Sequence, residues 1–184
     1  MNCFNGEQFL HEAINSVYDQ SYTNWEIIFL DNASTDNSAS IAKSYDERIK
    51  YHLSSETYPL GEARNFALNM ARGVYVTFLD CDDIYLIDKL DKQVKFMQGK
   101  VYAMCYGSVA IIDEHGKEIK KNIVKNKSGN VFPNLLRHYE INMQTVMLNK
   151  EFLDSNHLSF NINMSYCPDH NLFLKIAANN MVGV

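Results

Sequence analysis

Three carboxylates and a thiol, Asp80, Cys81, Asp82 and Asp83, follow directly on the apolar run Val74 to Leu79. Like charges at the end of a buried strand repel one another unless something positive sits among them. Asp80 and Asp82 stand two apart, so in extended chain both carboxylates face one side, where a hard divalent cation can share them. Magnesium and manganese suit such a place, because they accept one or two protein carboxylates and complete their shell with water and phosphate oxygens. A second reading stays open, in which Asp82 or Asp83 caps the helix that follows. A calcium loop of the EF-hand kind is excluded, since Ile84 would occupy its fifth position and no glycine comes next. The cysteines (Cys3, Cys81, Cys105, Cys167) contain no CxxC, and the histidines no HxxxH or HxH pair, so neither a zinc centre nor a disulfide framework is indicated. Any metal here is expected on oxygen.

The segments that must position these residues alternate between helix and strand. "FLHEAINSVYDQ" spaces Phe9, Leu10, Ala13, Ile14 and Val17 helically, and "WEIIFLD" is a β-prone run that stops on Asp31. "NASTDNS" supplies turn residues ahead of a short helix, "ASIAKSYDE", and "RIKYHL" reads as the next strand. "EARNFALNMA" predicts a helix closed by Gly73 in the left-handed position past its end. The strand "VYVTFLD" and the helix "LIDKLDKQVKFMQ", with Leu86, Leu90, Val94 and Met97 in line, complete four alternations. This order, with apolar strands, predicts an α/β fold: a Rossmann-like, mostly parallel sheet with helices on both faces. Ligands of such sheets bind beyond the carboxyl ends of the strands, which puts Asp31 and the Asp80 cluster on one rim.

From residue 101 the pattern changes. "VYAMCYGSVAII" is a long β-prone run, "DEHGKEI" a turn around Gly116, and "KKNIVKNKSGN" a basic loop expected to be mobile. "FPNLLRHY" predicts a helix, "INMQTVMLNK" a strand, and "PDHNLFLKIAANN" a helix opened by Pro168 and Asp169. Only Met1 to Phe4 precede the first helix, whereas such sheets usually begin with a central strand, so a truncated opening strand is the expectation.

At 184 residues, one domain is expected, with a nucleotide-binding half over 1–100 and an acceptor-side half over 101–184, incomplete at the termini. A hydrophobic content of 46% with 21% charge is that of a globular protein, and a net charge of −5 gives no electrostatic reason to expect nucleic acid. No apolar run reaches the length of a membrane span and the first residues lack a secretory pattern, which reads as cytoplasmic.

Together, "NCFNGEQFLHEAINSVYDQSYTNWEIIFLDNASTDNS", "GEARN", "YVTFLDCDD" and "PDHNLFLKI" resemble the family-2 glycosyltransferases of the GT-A, nucleotide-diphosphosugar transferase fold. The resemblance spans nearly the whole chain. It implies transfer of a sugar, with inversion, from a nucleotide donor, usually a UDP-sugar, to a hydroxyl acceptor, with Mn2+ or Mg2+ as cofactor. On this resemblance Phe4 lies against the base, Asp31 accepts from the uracil imide, and Arg64 lies near the uridine or diphosphate. Asp80 reaches the ribose and the metal, Asp82 binds the metal, and Asp169 is the catalytic base. The chain departs from the family pattern at Asn2, where Pro is common, and at Pro168-Asp169, where Glu-Asp is common. The basic or aromatic C-terminal motif of relatives that make polymers is absent.

The expected partners are the UDP-sugar donor and a saccharide or lipid-linked saccharide acceptor, in bacterial surface-polysaccharide assembly at the inner face of the membrane. Residues 113–145, with the lysine-rich "KKNIVKNK", are the candidate acceptor surface. Two other classes compete. Sugar nucleotidyltransferases share the architecture and the cation but need a Gly-rich loop with a basic residue after the first strand, and "NCFNGEQ" has one Gly and no Lys or Arg. A non-catalytic nucleotide-binding domain stays open. So do plainer roles for single residues, with Asp31 capping its turn and Asp169 complementing its helix dipole.

Overall fold

The computed structural model describes residues 1–184. The first half runs β1 (Asn2–Cys3), α1 (Glu7–Tyr18), β2 (Ile27–Asp31), α2 (Ser38–Lys43), β3 (Ile49–Leu53), α3 (Leu60–Met70), β4 (Tyr75–Thr77) and α4 (Lys89–Met97). β1, β2 and β3 form a parallel sheet with β2 central, Ile27 lying opposite Ile49, Asp31 opposite Leu53 and Asn2 opposite Leu30. All five β2 residues are buried, which is why this strand reads as an unbroken apolar run rather than an alternating one. α1 buries Leu10, Ala13, Ile14 and Val17, the stripe its helical spacing predicts.

The second half adds β5 (Met104–Cys105), β6 (Val109–Ile112), β7 (Glu118–Asn122), α5 (Phe132–Arg137), a turn of 3-10 helix (Met143–Thr145), β8 (Met147–Asn149), α6 (Lys150–Ser155), α7 (Pro168–Asn179) and β9 (Val182–Gly183). A second sheet has the order β4-β8-β5-β9, in which β8 runs antiparallel to both neighbours and β5 pairs with β9 in parallel. β6 and β7 make a separate hairpin. One core, with Leu10, Ile14, Phe29 and Met97, packs around the first sheet; the other gathers Phe160, Leu172, Phe173 and Ile176 with Leu148 of β8. No helix is long and apolar enough to cross a membrane.

Several local expectations are corrected. α3 ends at Met70 with Ala71 extended, and Gly73 has no positive φ. The chain leaves the helix early because the Arg72 amide donates to Glu26 at 3.1 Å. Gly73 serves a close approach instead, since a Cβ there would meet the Tyr75 carbonyl oxygen at 3.0 Å. α4 starts at Lys89, so Leu86 lies outside it and is exposed. The run "VYAMCYGSVAII" splits at Gly107 and Ser108, its first part entering the second sheet and its last the hairpin. The basic stretch is not all loop, because Lys120, Lys121 and Asn122 belong to β7. "INMQTVMLNK" gives a 3-10 turn before its strand, and α6 was not anticipated; Asn149 caps it by accepting from the Phe152 amide at 3.0 Å.

β1 is two residues long and pairs only with the carboxyl end of β2. Ahead of it, between β2 and β4, lies an apolar groove of about 860 Å³, lined by Trp25, Ile28, Leu68, Tyr75 and Leu90 among others. The Met1 amino group sits at one end of the groove, donating to the Ile28 carbonyl at 2.9 Å, and burial lowers its pKa. The groove is lined by the amino end of β2 and by the whole of β4, and it reaches Phe78 and Leu79, the two residues before Asp80.

Candidate active site

Two loops at the carboxyl ends of β1 and β2 are laced together by side chains from both. The Asn5 amide donates to Ser34 Oγ at 3.0 Å, and Asn5 Oδ1 accepts from the Thr35 amide at 2.8 Å. The Gly6 amide donates to Ser38 Oγ and the Glu7 amide to Asp36 Oδ2, each at 3.0 Å, while Glu7 Oε2 accepts from the Asn37 amide at 2.8 Å. This reciprocity accounts for the polar composition of "NGE" and "STDNS": short oxygen-bearing side chains satisfy amides that no strand or helix engages. The laced loops leave Phe4 55% exposed at their edge, free to offer a ring face.

Asp31 ends β2 as expected but is fully buried. Its Oδ1 accepts from the Ser34 amide at 2.8 Å and its Oδ2 from the Tyr51 hydroxyl at 2.7 Å. Asn32 holds the next loop, its amide bracketing Tyr58 through contacts of 2.9 and 2.8 Å.

The acidic loop is pinned against β1. A Cβ on Gly6 would come within 2.9 Å of Cys81 Cβ and 3.0 Å of Cys3 Sγ, so only glycine lets α1 begin there. Cys81 Sγ donates to the Asn2 carbonyl at 3.1 Å. Neither Asp82 nor Asp83 caps a helix, because α4 begins only at Lys89, after Asp88. The capping alternative is therefore removed.

Asp80 is held from two sides. Gln144 Nε2 donates to its Oδ2 at 2.9 Å, and the Arg64 guanidinium approaches its Oδ1 at 3.5 Å. The other arm of Arg64 lies 3.8 Å from Asp169 Oδ1. Arg64 is itself buried, with its guanidinium carbon 5.8 Å from the centre of the Phe160 ring. The helices that deliver these groups are locked together: Asn65 and Phe160 exchange two hydrogen bonds of 2.8 Å, and a Cβ on Gly61 would lie 3.4 Å from Pro168 Cβ. The first turns of α3 and α7 thus abut, and residues 80 and 169 meet across one guanidinium despite a sequence separation of 89.

Asp82 is exposed, and the Asp83 carboxyl is pushed up to about 6 by burial first and then by Asp80 and Asp82. Arg64 serves Asp80 and Asp169, so the loop keeps negative charge that the protein does not itself neutralise. An all-oxygen, under-neutralised set of this kind fits a hard divalent cation. No group of three or more His, Cys, Asp or Glu side chains converges to cage a metal. A cation here would rest on one or two of these carboxylates and leave its other positions to water and phosphate.

Sequence reasoning missed Gln144, which stands in the apolar stretch "INMQTVM"; an amide among Met, Thr and Val was its one available signal. It also missed Tyr139, whose ring lies 3.8 Å from that of His170 and whose hydroxyl pKa is raised by burial and by the charge of Asp169.

Comparison with known proteins bears on the family and the fold. A glycosyltransferase of Rickettsia felis, otherwise uncharacterized, is 37% identical over 94% of this chain, which spans 28% of that protein's length. An Escherichia coli protein, UDP-Glc:alpha-D-GlcNAc-diphosphoundecaprenol beta-1,3-glucosyltransferase WfgD, is 31% identical over 99% of this chain and 70% of its own. Among solved structures, S. aureus TarS 1-349 in complex with UDP-GlcNAc superposes with a TM-score of 0.81 at 20% identity, covering 98% of this chain and 54% of that one. The mannosyltransferase PcManGT of Pyrobaculum calidifontis, in complex with GDP-Man and Mn2+, gives 0.74 at 20% identity over 100% of this chain and 52% of its own. The fold is therefore that of the GT-A glycosyltransferases. The model of glycosyl transferase family 2 matches residues 1–162, and the chain belongs to that family.

Proposed function

We propose that the chain transfers a sugar from a UDP-sugar to a hydroxyl of a saccharide or lipid-linked saccharide, with inversion and with Mn2+ or Mg2+ as cofactor. The observation that carries this reading is the buried Arg64 between Asp80 and Asp169, which joins a donor-side carboxylate to a candidate base across a few ångströms. Residues 1–100 supply the nucleotide side and residues 101–184 the acceptor side. The name of the E. coli relative, with its UDP-sugar and its diphosphoundecaprenol acceptor, supports the donor and acceptor classes. The UDP-GlcNAc and Mn2+ complexes of the structural neighbours support the nucleotide and the cation.

In this reading Phe4 stacks on the base. Asp31 gives the uracil imide a lone pair left over from Ser34 and Tyr51, since an ionised carboxylate offers about four acceptor positions. Arg64 turns its fork to the diphosphate, where a planar guanidinium matches two phosphate oxygens at once. Asp82 and Asp80 hold the cation, which when bound offsets the charge that grows on the leaving diphosphate. Asp169 takes the acceptor proton, a task that needs the hydroxyl within about 2.6–3.2 Å of its oxygen. A single displacement by that hydroxyl inverts the anomeric centre. No covalent nucleophile is required, so Cys81 and Cys167 do not react. The setting is bacterial surface-polysaccharide assembly, on the cytoplasmic side of the membrane.

Titration calorimetry with UDP, with and without Mn2+, tests the reading. Asp82→Ala is expected to abolish metal-dependent UDP binding, whereas Asp169→Asn keeps the binding and loses transfer. Metal-independent UDP binding without turnover would instead mark a non-catalytic nucleotide-binding domain. A preference for nucleoside triphosphate with sugar phosphate would mark a nucleotidyltransferase.

A further inference from the structure

The hairpin of β6 and β7 stands apart from both sheets, and every residue from Glu114 to Ile123 is exposed. A two-stranded hairpin with no covered face contributes little to the fold that carries it. Its register sets Ala110 opposite Lys121 and Ile111 opposite Lys120, with an irregularity that leaves Ile119 between paired positions. Cross-strand pairing puts Ala110, Ile112, Glu118 and Lys121 on one face and Ile111 with Lys120 on the other, while Ile119 lies at the irregularity and Ile123 directly follows β7. Ile112, Ile119 and Ile123 are 36%, 66% and 63% exposed, a grouping of branched apolar side chains unlike single hydrophobics scattered over a surface.

Around these side chains the charge has the opposite sign to the rest of the molecule. Residues 113–127 hold five lysines (Lys117, Lys120, Lys121, Lys125, Lys127) against three carboxylates, a net charge of +2 in a chain of net −5. Only Lys121 among the five is paired, with Glu118 at 3.2 Å. The base of the hairpin is tied to the active site. The Lys125 and Asn126 amides donate to Glu140 at 2.9 and 3.0 Å, and Gln144, four residues on, holds Asp80.

We propose that this hairpin is a docking surface for an anionic lipid bilayer, its isoleucines entering the headgroup boundary and its free lysines lying against acidic headgroups. Apolar burial combined with basic residues is the chemistry that holds an interfacial segment on anionic lipid. The inference rests on the transferase reading for its purpose, because it brings the Asp80 and Asp169 rim to a surface where a lipid-linked acceptor resides. Its physical content is independent of turnover.

Co-sedimentation of the full chain with phosphatidylcholine vesicles, with and without about 30% phosphatidylglycerol, tests it. Binding is expected only with the anionic lipid and is expected to fall steeply with salt. Two variants should each weaken it by about tenfold or more: Lys120→Glu with Lys125→Glu, and Ile119→Ser with Ile123→Ser. UDP affinity, read by calorimetry on the same preparations, should not change. The proposal is overturned by no binding to anionic vesicles, by binding that survives both variants, or by concentration-dependent self-association that the isoleucine variant abolishes in place of lipid binding. UDP binding with no vesicle binding removes this inference alone. Vesicle binding without UDP binding removes the transferase reading alone.

Discussion

Replacing Arg64 with Met keeps the aliphatic stem against Phe160 and deletes the charge shared by Asp80 and Asp169. At separations of 3.5 and 3.8 Å and an effective dielectric near 20, each attraction is about 4–5 kcal/mol before desolvation is counted. Removing one partner from a fully buried ion pair costs about 3–5 kcal/mol, because the other charge is stranded. Here the side chains of Asp80 and Asp169 keep 35% and 23% of their surface, so water can solvate them and the net loss should be about 1–2 kcal/mol. In a chain of this size that lowers the melting temperature by about 2–8 °C. Donor binding should suffer separately. Charge-assisted hydrogen bonds are each worth about 1.5–3 kcal/mol, so UDP should bind about ten- to a hundredfold more weakly while uridine binds as before. The assay is a melting curve paired with calorimetry on both ligands. Equal loss for UDP and uridine would show that Arg64 only props the fold, and unchanged UDP affinity would remove it from the diphosphate altogether.

Three further outcomes follow from the charges and strain described. Asp83 keeps its proton in the folded protein up to about pH 6, whereas an ordinary aspartate has lost it by about pH 4. Stability should therefore fall as pH rises through that window. Asp83→Asn should add about 1 kcal/mol in chelator at pH 7.5, with the gain shrinking toward pH 4 in urea titrations. Lys89 has its pKa lowered to about 7 by burial, and its Nζ donates to Thr77 Oγ1 at 2.7 Å. The unfolded lysine holds its proton well above that pH, so wild-type stability should climb from about pH 7 to 10, and Lys89→Met should flatten the climb. Ala33 adopts φ 61, which costs a side-chain-bearing residue about 1 kcal/mol, so Ala33→Gly should raise stability by about 0.5–1 kcal/mol in the same titrations.

What the sequence could reveal divides along the chain. α1, β2 and α7 follow from local periodicity, because each lays a buried stripe or run against the core. The second sheet was less legible, since β8 is three residues long and is a strand because β4 and β5 flank it, a pairing no local pattern encodes. Asp80, Arg64 and Asp169 could be named from the order of motifs, but their meeting depends on α3 and α7 abutting at Gly61 and Pro168. The burial of Asp31 was hidden for the same reason, because the Tyr51 hydroxyl that reaches it comes from the neighbouring strand.

β2 is bound on both sides where it approaches the site. Its Ile27 amide donates toward β3, to the Arg48 carbonyl, while the Leu30 and Asn32 amides donate to Met1 and Cys3. These last two amides flank Asp31 and belong to residues that are 0% and 8% exposed, so they should be among the slowest to take up deuterium. The carboxylate between them then rides on one of the last stretches of the chain to open.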